Sequence, residues 1–298
     1  MDGARLSDLP VSVVIPALSE GQNLVDTVAG VRANSGDLDP EVIVVDDGSS
    51  DGAPQRVAAR FARDPHVRVI HGPQEGIARA RNAGADAARG RVIVFLDGHC
   101  HVPQGWLAPL VEALDDPAVG LVGPAFSSIR EPRIKACGIT WSGPDMANVW
   151  LPATHDGAVP FHIGACQAVR AGTFHDIGGF DAGMTRWGSE DIEICLRMWV
   201  LGHEVRAVPQ SLVYHLFRDK HPYAVQHEKI LYNHLRMALL HFDEPRLARM
   251  LDHFQRNPGS PAALAHAYAN GVVAERERLF AERVRDVDWL FDKFGIGF

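Results

Sequence analysis

The 298 residues include only four cysteines, Cys100, Cys137, Cys166 and Cys195, and no two of them form a CxxC pair. That scarcity excludes a disulfide-stapled small domain and a cysteine-rich zinc module. No apolar run approaches the ~20 residues a membrane span requires. Met1–Pro10 lacks the charged-then-apolar pattern of a secretory signal. The expectation is a cytoplasmic chain with reduced thiols and no membrane span. Basic residues are outnumbered, 29 Lys+Arg against 37 Asp+Glu, giving a net charge of −8. General attraction to nucleic acid is therefore not expected. Internal repeats and low-complexity segments are also missing. The first apolar run is not followed by GxGxxG, which argues against a dinucleotide held by a glycine-rich turn.

What is present is an alternation of short apolar runs and helical stretches over the first 125 residues, the pattern of parallel βαβ units. Val11–Pro16 reads as a strand buried on both faces, being continuous and β-branched. Leu24, Val25, Val28 and Val31 mark one face of a following helix. Further strands are predicted at Glu41–Val45, Val67–Ile70, Val92–Leu96 and Gly120–Val122, with an Ala-rich helix over Ile77–Ala88. Residues 125–160 are rich in Pro and Gly, show no period, and read as an irregular excursion. Structure resumes at Phe161–Val169. A helix over Ser189–Leu201 follows from the spacing of Ile192, Cys195, Leu196 and Trp199.

From about Pro222 the pattern is helical, with stripes at Leu231, Leu235, Ala238, Leu239 and at Leu247, Met250, Leu251, Phe254. The expected division is residues 1–218 as an α/β domain and 219–298 as a closing loop and helical extension packed on it.

In open parallel sheets ligands bind beyond the carboxyl ends of the strands. The segments found there are Pro16–Glu20, Asp46-Asp47-Gly48-Ser49 and Asp97-Gly98-His99. Asp97 and His99, two apart in extended chain, point the same way and can share one divalent cation. A carboxylate with an imidazole suits Mn²⁺ better than Ca²⁺, with Mg²⁺ as the alternative ion. Cys100 and His101 invite a zinc reading, but neighbours on an extended segment face opposite ways and no second ligand pair lies at zinc spacing. Taken alone, Asp97-Gly98 is ordinary turn chemistry and the arginines after Gly76 could form a solvated helix face.

The company these residues keep is more specific. Val-Ser-Val-Val-Ile-Pro-Ala (11–17), Val-Asp-Asp-Gly-Ser-Ser-Asp-Gly (45–52) and Gly-Ile-Ala-Arg-Ala-Arg-Asn-Ala-Gly (76–84) resemble the nucleotide-binding half of family 2 glycosyltransferases. That resemblance implies a GT-A fold, a Rossmann-like, mostly parallel sheet flanked by helices, and a nucleotide-sugar donor. It also implies Asp47, with Asp46 beside it, at the base or ribose and Arg79 or Arg81 near the nucleotide. Pro16 and Glu20 fall in the first loop of the same site.

Asp97–Leu110, Ile177–Trp199 and Ser211–Tyr223 are together similar to the catalytic domain of polypeptide N-acetylgalactosaminyltransferases. By this resemblance Asp97, His99 and His215 are the protein ligands of Mn²⁺. Arg218, His221 and Tyr223 belong to a loop closing over the diphosphate, and Trp187 and Glu190 line the donor sugar and acceptor. A cationic loop beside a metal suits charge developing on a leaving diphosphate.

The chain also departs from that family. No membrane anchor, appended lectin module or set of disulfides is read in these residues, and the expectation is a bacterial cytoplasmic relative rather than a mucin-type enzyme. Pro16 and Leu18 stand near the uracil where threonine and histidine are usual, so uridine is the expected but unproven base. Asp219 replaces a commonly basic residue. Ala165 follows Gly164 in place of a second glycine and is expected to crowd the donor sugar.

Asp191 stands where those retaining enzymes carry asparagine. In inverting enzymes of this fold an aspartate after that glutamate is the base, so inversion with Asp191 as base is slightly favoured. A retaining outcome and a nucleotide-sugar-binding protein without transferase activity are the alternatives. The acceptor is open among peptide, small molecule and glycan, and no signal bears on oligomeric state.

Overall fold

The structure, a computed structural model, describes residues 11–218 and 222–298. Its strands are β1 (Val11–Ala17), β2 (Glu41–Asp46), β3 (Val67–His71), β4 (Val92–Leu96), β5 (Cys100–His101), β6 (Val119–Ser128), β7 (Lys135–Trp141), β8 (Asn148–Pro152), β9 (Gly157–Ala158), β10 (Cys166–Arg170) and β11 (Glu204–His215). Helices α1 (Gln22–Asn34), α2 (Ala53–Arg60), α3 (Ile77–Ala87), α4 (Ala108–Ala113), α5 (Ala171–Asp176) and α6 (Glu190–Val200) alternate with them. Five helices follow: α7 (His227–His241), α8 (Glu244–Phe254), α9 (Ser260–Ala269), α10 (Val272–Glu282) and α11 (Val287–Phe294). No helix of the described residues is long and apolar enough to cross a membrane.

The sheet runs β3-β2-β1-β4-β10-β6-β11-β5. β1, β2, β3 and β4 are mutually parallel, as are β6 and β11, while β10 lies antiparallel between β4 and β6. Alternation along each parallel strand feeds two cores. Val11, Val13, Ile15, Val42, Val44, Val92 and Val94 enter one, and Val14, Ile43, Val45, Ile93 and Phe95 the other. Such strands need apolar residues at every position, which is why they read as unbroken runs. The chain passes outward from β1 to β3 and then returns to β4, so the sheet order reverses between β1 and β4. Ligand crevices form at such a reversal, and Asp97 follows β4 directly.

Residues 125–160 differ from the irregular excursion expected. β6 continues to Ser128, and β7 and β8 form an antiparallel pair beside it. Two features hid them. A register shift between Ala136 and Ile139 breaks the two-residue alternation, and β8 is largely exposed.

The C-terminal helices share a core with α6. Leu231, Tyr232, Leu235, Ala238 and Met250 pack in the same apolar cluster as Ile192, Cys195, Leu196 and Trp199. Buried charge reinforces the contact. Arg236 of α7 grips Asp181 bidentately at 2.7 and 2.9 Å and also pairs with Glu275. Glu193 of α6 accepts from Arg197 Nε at 2.9 Å and lies 2.8 Å from His241 Nε2.

Burial alone would raise the Glu193 carboxyl, but Arg197 and then His241 outweigh it and hold it at about 2. A carboxyl lowered on folding contributes stability above its unfolded value of 4.5, and that contribution fades as pH falls from there toward 2. The shift corresponds to on the order of 3 kcal/mol. Urea unfolding of the wild type should therefore lose more stability between pH 5.5 and 3.5 than unfolding of Glu193→Gln. Parallel profiles would show that Glu193 is not ionised in the core.

Candidate active site

The site is assembled by β5, whose two residues pair antiparallel with the end of β11, placing Cys100 opposite His215 and His101 opposite Tyr214. This pairing carries the Asp97-Gly98-His99 segment onto a histidine far along the chain. One ligating atom from each of Asp97, His99 and His215 lies within 4.8 Å of the others. The two imidazole rings sit 4.7 Å apart. His215 Nε2 is 3.5 Å from Asp97 Oδ2, too long for a well-formed hydrogen bond. Neither buried nitrogen of His215 has a hydrogen-bond partner among the described residues.

Burial pulls His215 below its ordinary value, so its ring is neutral at pH 7. Burial pushes Asp97 the other way, but His215, Arg81 and His99 hold it well below the usual carboxylate range. A carboxylate and a neutral, unpartnered imidazole are the deprotonated donors a divalent transition ion requires. His99 Nδ1 lies 3.1 Å from Glu20 Oε2, and Glu20 is in turn paired with Arg218. A second carboxylate of this kind orients a ligating ring.

Arg81 organises the wall behind this trio. Its side chain is 1% exposed. It donates to Asp97 Oδ1 at 3.1 Å, Glu190 Oε1 at 3.0 Å and the Gly164 carbonyl at 2.7 Å. Glu190 also accepts the Gly188 N–H at 2.9 Å. Burial, and then the neighbouring Asp191, raise the Glu190 carboxyl against the pull of Arg81. Asp191 is half-buried, and its oxygens accept Gly164 N–H at 2.7 Å and Ile192 N–H at 3.0 Å. Its proton affinity is likewise raised by burial. A Cβ at position 164 would come within 2.8 Å of the Arg81 guanidinium and 2.9 Å of Asp191 Cβ, so only glycine fits.

The expected crowding by Ala165 does not occur. Its methyl packs in the apolar core beneath the sheet, because side chains alternate across the strand it leads into.

These elements surround a cavity of about 490 Å³. Asp97, His99 and His215 line it, together with Pro16, Glu20, Asp47, Trp187, Arg218 and Tyr223 among the residues singled out from sequence. Asp47 accepts Glu75 N–H at 2.8 Å and Gly76 N–H at 3.0 Å. Gly76 has φ +101, and a Cβ there would lie 2.6 Å from Arg186 N. Burial pushes the Tyr223 phenol up to about 12. His221 lies outside the described residues.

Six expected residues among those described do not line the cavity. Arg81, Gly164, Glu190 and Asp191 form the hydrogen-bonded wall behind it, whereas Asp46 and Arg79 lie apart from both. Asp46 turns away from the cavity, 2.9 Å from His71 and accepting Ser49 N–H at 2.7 Å, because successive strand residues face opposite ways. Arg79 is half-exposed and pairs with Glu75 at 3.9 Å, since residues two apart on a helix do not share a face.

Other lining residues were not read from sequence, namely Gln74, Arg186, Phe217 and Ile230. Beside them Trp150 of β8 stands 41% exposed, with its ring 5.8 Å from that of Phe217. An exposed Trp in a segment without period was the one available signal.

Against known proteins, the model of glycosyl transferase family 2 matches residues 12–178. The model described as the N-terminal domain of galactosyltransferase matches residues 159–222. Polypeptide N-acetylgalactosaminyltransferase 12 of Mus musculus is 32% identical over 94% of this chain and 51% of its own length. Probable N-acetylgalactosaminyltransferase 9 of Caenorhabditis elegans is 31% identical over 61% of this chain and 35% of its own. The chain thus spans about half or less of the length of these relatives.

Among solved structures, GalNAc-T7 with UDP, GalNAc and Mn²⁺ superposes with a TM-score of 0.79 at 23% identity, covering 97% of this chain and 57% of that one. A mannosyltransferase of Pyrobaculum calidifontis with GDP-Man and Mn²⁺ gives 0.58 at 20% identity, covering 93% and 79%. S. aureus TarS 1–349 with UDP-GlcNAc gives 0.61 at 15% identity, covering 90% and 89%. These likenesses establish the GT-A fold. With more than half of its length matched by the first of the two family models, the chain belongs to glycosyl transferase family 2.

Proposed function

We propose that the protein transfers a hexose or N-acetylhexosamine from a UDP-sugar to a hydroxyl or similar nucleophile of an acceptor, with Mn²⁺ as cofactor. The observation that carries this reading is the convergence of Asp97, His99 and His215 within 4.8 Å on the wall of a cavity that Asp47 also lines. Asp97, His99 and His215 would hold the ion, which when bound neutralises charge on the donor diphosphate. UDP with Mn²⁺ in one similar fold, and UDP-GlcNAc in another, support the choice of donor and metal.

The chain's own residues supply the rest. Arg81 fixes the Asp97 carboxylate and the Glu190 carboxyl in one rigid fork. Arg218, on the cavity wall, adds positive charge where the leaving diphosphate develops negative charge. Trp187 bounds the sugar end of the cavity. The paired rings of Trp150 and Phe217 give an apolar face beside it, suited to stacking against an acceptor glycan or an apolar group of a peptide or small molecule.

Two stereochemical readings attach to Asp191. As base it would take the acceptor proton and invert the anomeric centre, and its raised proton affinity supports that role. Its bond to Gly164 N–H supports the second reading, in which it fixes that backbone and the configuration is retained.

The test is release of free nucleotide from UDP-, GDP- and dTDP-sugars with Mn²⁺ and with EDTA. Release from a UDP-sugar in Mn²⁺ alone is the expected result. Silence across the panel without metal-dependent nucleotide binding would overturn the reading. Tight metal-dependent binding without release would identify a binding protein instead.

A further inference from the structure

Helix α7 reaches the cavity wall through one buried carboxamide. Asn233 is 1% exposed and faces the loop that runs from Asp181 to Glu190. Its Oδ1 accepts Thr185 N–H at 2.9 Å. Its Nδ2 donates to Thr185 O at 2.9 Å and Gly188 O at 2.8 Å, with a longer 3.4 Å contact to Trp187 O. One acceptor and two donors in a single plane are what only an Asn or Gln amide can offer.

The backbone so held is an unfavourable one. Arg186 has φ 58 and Ser189 φ 72, left-handed values that side-chain-bearing residues avoid. The loop is stapled on its other side as well, where Arg186 O accepts Ile77 N–H at 2.8 Å. Gly188 is gripped at both ends, its carbonyl by Asn233 and its N–H by Glu190. Trp187 therefore projects into the cavity from a peptide segment whose shape Asn233 dictates.

We propose that Asn233 is a positioning residue that sets Trp187 and Glu190 against the donor sugar, so that the C-terminal extension forms part of the active site rather than a passive support. The role of these two residues rests on the donor-site reading above; the clasp itself does not. Asp at 233 would keep the acceptor for Thr185 N–H but turn a carboxylate toward carbonyl oxygens. Ala would leave all the clasped groups unpaired.

The experiment uses the full chain with Asn233→Asp and Asn233→Ala. Trypsin cleavage after Arg186 reports release of the loop, and cleavage after the exposed Arg133 serves as the internal reference. Cleavage at Arg186 should accelerate about tenfold or more in both variants while cleavage at Arg133 is unchanged. The dissociation constant of UDP in Mn²⁺ should stay within about twofold, and kcat for nucleotide release from the UDP-sugar should fall about tenfold to a hundredfold.

Unchanged cleavage at Arg186 would overturn the clasp. Faster cleavage at both sites with a lowered melting temperature would reduce Asn233 to a structural role and overturn the proposal. If the wild type releases no nucleotide from any donor, the transferase reading fails, and the clasp is decided by the cleavage pattern alone.

Discussion

Asp97→Ala should lower Mn²⁺-dependent nucleotide release by about a thousandfold or more while leaving the fold intact. The size follows from what is removed. Asp97 is the one carboxylate among the three groups positioned to hold the ion, and a bound metal supplies several kcal/mol of charge stabilisation, each ~1.4 kcal/mol being tenfold in rate. The fold should survive because Arg81 keeps Glu190 and the Gly164 carbonyl as partners. His215→Ala tests the same centre from the other side of the chain and should have a comparable effect. Circular dichroism and thermal melting give the structural control. Wild-type rates in either variant would remove the metal assignment altogether.

The second large effect concerns Asp191→Asn. The amide is nearly isosteric and its oxygen can still accept Gly164 N–H, so that backbone contact should be kept, while Ile192 N–H loses its acceptor. What also disappears is basicity. If Asp191 takes the acceptor proton, kcat should fall about 10²- to 10⁴-fold with little change in donor KM. NMR of the wild-type product should then show the inverted anomer. A loss smaller than about tenfold, with a retained anomer, would mean that Asp191 acts through Gly164 instead. The two readouts are independent, so a retained product with a large rate loss would also exclude the base role.

Much of the nucleotide-binding half was legible because its strands are buried on both faces. Val11–Ala17, Glu41–Asp46 and Val92–Leu96 have apolar residues at almost every position, a pattern that survives without tertiary knowledge. Asp97 and His99 were legible for the same reason, since a strand end fixes where the following residues point. Adjacent candidates were harder to separate. Whether Asp46 or Asp47 faces the cavity, and whether Arg79 or Arg81 joins the wall behind Asp97, depends on the phase of the strand or helix against its neighbours, and a single sequence gives the period without the phase.

Segment 125–160 was opaque because a register shift and an exposed edge strand both erase the period. Trp150 and Phe217 meet only through that unseen pair of strands. The clasp by Asn233 left no trace at all, because a buried amide bonding to a loop has no repeat to betray it.

Strand β10 lies between β4 and β6 and is antiparallel to both. The half of the chain that carries the nucleotide-binding motifs therefore finishes with β4 unpaired on one side until a later segment returns to fill the gap. Excising residues 11–125 as a stand-alone nucleotide-binding module would leave Val92–Leu96, five buried apolar residues, as an open edge. Such an edge recruits other strands and invites aggregation. The motifs that resemble a portable cassette in the sequence are thus tied to the rest of the chain, and grafting them elsewhere would require a substitute for β10.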